Sequence, residues 1–143
     1  MIRVLVVEDS PTWAKILTAL LESDGEIEVV GQAESGRQAV EMAAGLRPDL
    51  ITMDVVMPDM DGLEATRRIM IANPTPILII TGHENAPELQ LVFNAMKAGA
   101  LEVMNKSTVD DDDAWKQELL TKVKTLAKVR PHGRLEDWGE IEK

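Results

Sequence analysis

Five short apolar runs, each followed by apolar residues at helical spacing, leave this chain few folds to adopt. The runs are Arg3–Val7, Glu26–Ala33, Leu50–Met53, Ile77–Ile80 and the less apolar Leu101–Asn105. They are short for buried helices, and the nearly continuous Val/Ile/Leu character of the first four suits strands covered on both faces.

The intervening stretches carry helix signals. Ser10 offers an N-cap with Pro11 at the first helical position. Trp13, Ile16, Leu17, Leu20 and Leu21 then make one apolar face that ends at Asp24-Gly25. Ser35 with Gln38 reads as a capping box for a helix through Ala43, with Gly45 at the left-handed C-terminal position. Asp61 and Glu64 start a third helix, continued by Leu63, Thr66, Ile69 and Met70 to about Asn73. Pro87 opens a fourth, with Leu89, Val92, Phe93 and Met96 inward and Gly99 as its stop. The acidic run Asp110–Asp113 suits the N-terminal dipole of a fifth, whose face is Trp115, Leu119, Val123 and Leu126 and whose end is Pro131. Trp13 and Trp115 read as helix-face packing.

Strand-helix alternation repeated five times favours a parallel sheet, because parallel neighbours need crossover connections. The expected fold is α/β: a doubly wound five-stranded parallel sheet in order 2-1-3-4-5 with helices on both faces. At 143 residues, with 45% hydrophobic and 28% charged, the chain is expected to form one domain over residues 1–130, followed by a polar tail or linker start at 131–143. It has no cysteine, so thiolate metal sites and disulfides are excluded. No apolar run is long enough to span a bilayer and no signal-peptide layout opens the chain, so a cytoplasmic location is expected. A net charge of −10 without a basic stripe argues against direct nucleic-acid binding.

In such a sheet the carboxyl ends of the strands share one rim, where ligands bind. Here the first strand ends on Glu8 and Asp9, the third on Asp54, the fourth on Thr81 and the fifth on Lys106. Three converging carboxylates need compensation: at roughly 5 Å and an effective dielectric near 20, each pair repels by about 3 kcal/mol. One Lys offsets part of this and a divalent cation more. Hard oxygen donors with open positions suit Mg²⁺, which would leave room for phosphate oxygens. Asp54 could then attack phosphorus as a carboxylate nucleophile, with Thr81 and Lys106 meeting the equatorial oxygens. Taken singly, each residue has a plainer role as a turn, cap or solvated charge; their convergence on one rim favours a joint function. The glycines of Gly31-Gln32-Ala33-Glu34-Ser35-Gly36 lack the Lys-Ser/Thr of a phosphate loop and read as a turn and helix start. His83, beside the site, reads as a loop residue.

Several segments carry a resemblance: Val4-Leu5-Val6-Val7-Glu8-Asp9-Ser10, Pro48 through Asp54 to Met57-Pro58-Asp59-Met60-Asp61-Gly62, Ile79-Ile80-Thr81-Gly82, and Ala98-Gly99-Ala100 with Lys106. Over about residues 2–130 they resemble a response-regulator receiver domain of two-component signalling, which has a flavodoxin-like fold. The Thr75-Pro76-Ile77-Leu78-Ile79-Ile80-Thr81 segment is most similar to the regulatory domain of chemotaxis methylesterases.

The resemblance implies that Asp54 is the phosphoacceptor. Asp9 and Asp54 would bind Mg²⁺ directly, Glu8 through water and Val56 through its backbone carbonyl, while Thr81 and Lys106 would contact the phosphoryl group. A phosphohistidine on a sensor histidine kinase or histidine phosphotransfer protein would be the donor. The face made by the fourth helix, fifth strand and fifth helix would serve an effector domain or protein, or a homodimer.

Three positions depart from the family. Glu8 replaces the commoner Asp of the acidic pair, a familiar variation. Val103 stands where an aromatic switch residue is common. Ser107 replaces the usual Pro after Lys106; a cis bond there would cost roughly 3–4 kcal/mol, so a trans bond is expected. Two other readings stay open: an unphosphorylated interaction module on the same fold, and an aspartyl-nucleophile phosphatase. The latter commonly wants a second Asp where Val56 stands.

Overall fold

The computed structural model describes residues 1–57, 60–82, 86–106 and 113–129. Among the described residues ten elements alternate: β1 (Ile2–Val7), α1 (Pro11–Glu22), β2 (Ile27–Ala33), α2 (Gly36–Leu46), β3 (Leu50–Met53), α3 (Gly62–Ala72), β4 (Ile77–Thr81), α4 (Ala86–Ala98), β5 (Glu102–Asn105) and α5 (Asp113–Leu126). All strand pairings are parallel and the order is β2-β1-β3-β4-β5, as expected.

Alternation along the strands divides the core in two. Leu5, Val7, Ile51, Met53, Ile77 and Ile79 face α2, α3 and α4. Val4, Val6, Leu50, Leu78, Ile80 and Met104 face Leu17 and Leu21 of α1 and Leu119, Leu120 and Val123 of α5. Both faces are covered, which is why the strands lack polar alternation.

The helix starts follow the expected caps. Ser10 Oγ accepts from Trp13 N–H and Asp61 Oδ1 from Glu64 N–H. Ser35 Oγ accepts from Gln38 N–H, while Gln38 Oε1 reaches one residue further back than a standard capping box, to Glu34 N–H at 2.9 Å.

Helix ends and faces bring corrections. The left-handed residue after α2 is Arg47 (φ 47°), not Gly45, which lies within the helix. Arg3 explains how the extra turn is supported: its Nη1 donates to the carbonyls of Leu46 (2.8 Å) and Arg47 (3.0 Å), placing a cation at the helix C-terminus. On α1 the buried residues are Ala14, Leu17 and Leu21, and Ile16 turns outward. On α4 the expected face is rotated. Ala95 and Ala98 meet the sheet, with Leu91, Val92 and Met96 beside them, whereas Leu89 and Phe93 are 55% and 56% exposed. Small residues let α4 sit close, so the larger ones swing to its outer side; the Lys97 ammonium lies 4.6 Å from the Phe93 ring centroid. Gly99, at φ 127°, ends α4 as expected.

The hydroxyls of Thr52 and Thr66 are buried without a hydrogen-bond partner among the described residues. A desolvated, unsatisfied hydroxyl is costly, and Val has nearly the same shape. Thr52→Val should therefore stabilise the domain by about 1 kcal/mol, read in thermal unfolding as a rise of roughly 3–6 °C in Tm. An unchanged or lowered Tm would show that the hydroxyl is satisfied in solution.

Candidate functional site

The strand order reverses between β1 and β3, and in sheets of this kind ligands bind outside the carboxyl ends of the strands at such a point. Backbone bonds extend the ladder past the strand ends: Glu8 N–H donates to Ala33 O, Asp54 N–H to Val7 O and Lys106 N–H to Thr81 O. These bonds place the strand-end residues along one rim. Glu8, Asp54 and Thr81 are buried there, while Asp9 is exposed.

Glu8, Asp9 and Asp54 each present an oxygen within 4.8 Å of the others. Lys106 joins them from the end of β5. Its Nζ lies 2.6 Å from Glu8 Oε1 and 3.3 Å from Asp54 Oδ2, so the ammonium bridges two of the three carboxylates. The remaining oxygens are also engaged: Glu8 Oε2 accepts from Ser10 N–H at 3.0 Å, and Asp54 Oδ1 from Val56 N–H at 3.2 Å.

Burial dominates the titration of Glu8. It pushes the carboxyl up to about 7, against the pull of the Lys106 hydrogen bond and the Ser10 N–H, and the neighbouring Asp54 charge adds to the rise. Burial acts on Lys106 in the opposite sense, favouring the neutral amine. The Glu8 hydrogen bond and the charges of Asp54 and Glu8 outweigh it and hold Lys106 above the usual range. The site therefore keeps its cation while the Glu8 carboxylate is disfavoured, chiefly by its burial.

The residues expected on the rim are thus brought together. Pro58, Asp59, His83 and Ser107, together with residues 108–112 and the tail from 130 on, lie outside the described residues, and with them the Lys106–Ser107 bond. Val103 is described and partly exposed on β5.

Sequence reasoning missed the direct Glu8–Lys106 pair and the reasons for three glycines. A Cβ on Gly62 would fall on the carbonyl oxygen of Asp54 and come within 2.7 Å of Val55 Cα. One on Gly36 would fall on the Met60 carbonyl, and one on Gly82 would lie 3.1 Å from Lys106 Cδ. The loop after Asp54 is therefore held by backbone approaches that a side chain would block. The visible signal was Gly directly after Asp61 and after Thr81.

Gly62→Ala should cost about 1–3 kcal/mol through displaced backbone beside Asp54. Gly45→Ala, where nothing lies within 4 Å inside a helix, should stabilise by roughly 0.5–1 kcal/mol. Denaturant titration of both variants checks the contrast, and equal midpoints would mean the Asp54 loop yields freely.

An α/β sheet of this order, with an acidic triad and a lysine at its switch point, defines a class of signalling modules. The family model of the response regulator receiver domain matches residues 4–120, and the chain belongs to that family. It is a receiver domain of two-component signalling.

Among curated relatives, it is 47% identical over 132 residues to a protein-glutamate methylesterase/protein-glutamine glutaminase of Syntrophus aciditrophicus, covering 91% of this chain and 38% of the relative. The chain thus spans less than half the length of that protein. Among solved structures, it is similar to the response regulator domain of Thermotoga maritima CheB, with 34% identity and a TM-score of 0.80, covering 92% of this chain and 99% of that one. The receiver domain of a Pseudomonas aeruginosa sensor histidine kinase, solved with magnesium coordinated in its active-site cleft, matches with 28% identity and a TM-score of 0.74 over 89% of this chain and 98% of that one.

Proposed function

We propose that the chain is a phosphorylation-controlled switch in which Asp54 accepts a phosphoryl group from a phosphohistidine on a sensor histidine kinase or histidine phosphotransfer protein. The observation that supports this most directly is the grouping of Glu8, Asp9 and Asp54 within 4.8 Å, bridged by Lys106. An Asp54 carboxylate oxygen attacks phosphorus, the P–N bond breaks, and the imidazole leaves with the electron pair and regains a proton. Lys106, already on Asp54 Oδ2, neutralises charge on the transferred group, and Thr81 at the end of β4 donates its hydroxyl to it.

The donor set fits Mg²⁺: hard carboxylate oxygens, no sulfur and no imidazole. Asp9 and Asp54 would hold it directly, Val56 through its carbonyl and Glu8 through water. Lys106 lies nearer Glu8 Oε1, at 2.6 Å, than Asp54 Oδ2, at 3.3 Å, which supports Asp54 rather than Glu8 as the direct ligand. When bound, the ion supplies the positive charge that the developing phosphoryl oxygens require.

The output surface in this reading is the α4-β5-α5 face, where Leu89, Phe93 and Val103 are exposed. It would serve an effector of the methylesterase kind named for the relatives, or a homodimer, within the cytoplasm and without contacting nucleic acid or membrane. No helix among the described residues is long and apolar enough to cross a membrane.

Incubation with acetyl phosphate and Mg²⁺, followed by intact mass and peptide mapping, tests the reading. One phosphoryl mass on Asp54 supports it. No adduct would instead favour an unphosphorylated interaction module, and turnover of diverse phosphoesters would favour a phosphatase.

A further inference from the structure

Lys106 has an aromatic neighbour besides its two carboxylates. Its Nζ lies 5.2 Å from the ring centroid of Trp13, on the first turns of α1. The Trp13 ring meets Trp115 edge-on, with centroids 6.4 Å apart and planes at 62°. Trp115, near the start of α5, donates its indole N–H to the carbonyl of Asn105 at 2.6 Å. Asn105 is the residue before Lys106. The contacts close a ring, Lys106–Trp13–Trp115–Asn105, joining α1, α5 and the end of β5.

We propose that Trp13, backed by Trp115, is a positioning residue that holds the Lys106 ammonium over Asp54 during phosphoryl transfer. A flexible four-carbon stem leaves an ammonium free to wander. Gly82 leaves room for that stem, and the electron-rich face of Trp13 attracts the head without neutralising it, as a fourth carboxylate would. The edge-on contact fixes the Trp13 plane, and the Trp115 N–H ties that contact to the backbone carrying Lys106. Trp13 itself touches no reacting atom. Its effect passes through Lys106, and the inference therefore rests on Asp54 being the phosphoacceptor.

A double-mutant cycle on the full 143-residue chain tests this, with acetyl phosphate and Mg²⁺ as reagents and the rate of Asp54 adduct formation as readout. Trp13→Leu should slow the reaction about five-fold in the presence of Lys106, with the dependence on donor concentration unchanged. Trp13→Phe, which restores an aromatic face, should recover most of the rate. In a Lys106→Met background, Trp13→Leu should have no further effect. Trp115→Phe keeps a ring but loses the bond to Asn105; it should show a smaller slowing that also disappears without Lys106, and it serves if Trp13→Leu does not fold. Equal slowing with and without Lys106, or no slowing at all, overturns the inference. Absence of an adduct on the unaltered protein would instead sink the phosphoacceptor reading beneath it.

Discussion

Asp54→Asn should take up no phosphoryl group from acetyl phosphate and Mg²⁺ under conditions where the unaltered chain is labelled. The amide oxygen carries no full negative charge, so it is a far weaker nucleophile, and no stable acyl phosphate can form on it. The substitution is nearly isosteric, which matters because Asp54 is buried and the loop after it is held close by Gly62. Folding should survive. Removing one charge from three crowded carboxylates relieves repulsion, while Lys106 keeps its 2.6 Å contact with Glu8. Tm should thus stay within a few degrees of the unaltered protein. Labelling that persists in the variant would place the phosphoacceptor elsewhere.

Lys106→Met should leave the nucleophile intact and slow its reaction on the order of 10²-fold. Met keeps much of the stem that lies against Gly82, so the loss is chiefly that of a charged donor aimed at Asp54. Glu8 should respond as well. Burial raises its carboxyl to about 7 with the ammonium in contact, and removing that contact should raise it further. Glu8 would then be protonated rather than left as an unpaired buried charge. The acid limb of the pH–rate profile should accordingly move to higher pH. Stopped quench followed by mass spectrometry gives both quantities, and a rate within two-fold of the unaltered protein would remove Lys106 from the mechanism.

Much of the architecture was legible in the chain because it depends on neighbours in sequence. Ser10, Ser35 and Asp61 cap the helices that follow them through bonds spanning three residues, so composition at those positions sufficed. The apolar runs declared strands with two covered faces, and parallel strands impose a common rim. That is why Glu8, Asp9, Asp54, Thr81 and Lys106 could be nominated from strand ends without knowing any distance.

Where apolar residues were plentiful, pattern alone failed. On α4, Leu89 and Phe93 matched a helical stripe as well as Ala95 and Ala98 did, and the buried face was decided by how close the sheet allows the helix to come. The end of α2 likewise depended on Arg3, more than forty residues away, reaching the carbonyls of Leu46 and Arg47.

By itself, then, the chain specified the order of elements, their caps and the rim on which chemistry-bearing residues gather. All of these follow from local hydrogen bonding and the period of the apolar pattern. Only tertiary structure decided that Lys106 pairs with Glu8 as well as Asp54, that Trp13 lies beneath its ammonium, and that Gly36 and Gly62 must lack a side chain. Those contacts join segments distant in sequence, and their energies depend on separations of an ångström or less, which no spacing of residue types encodes.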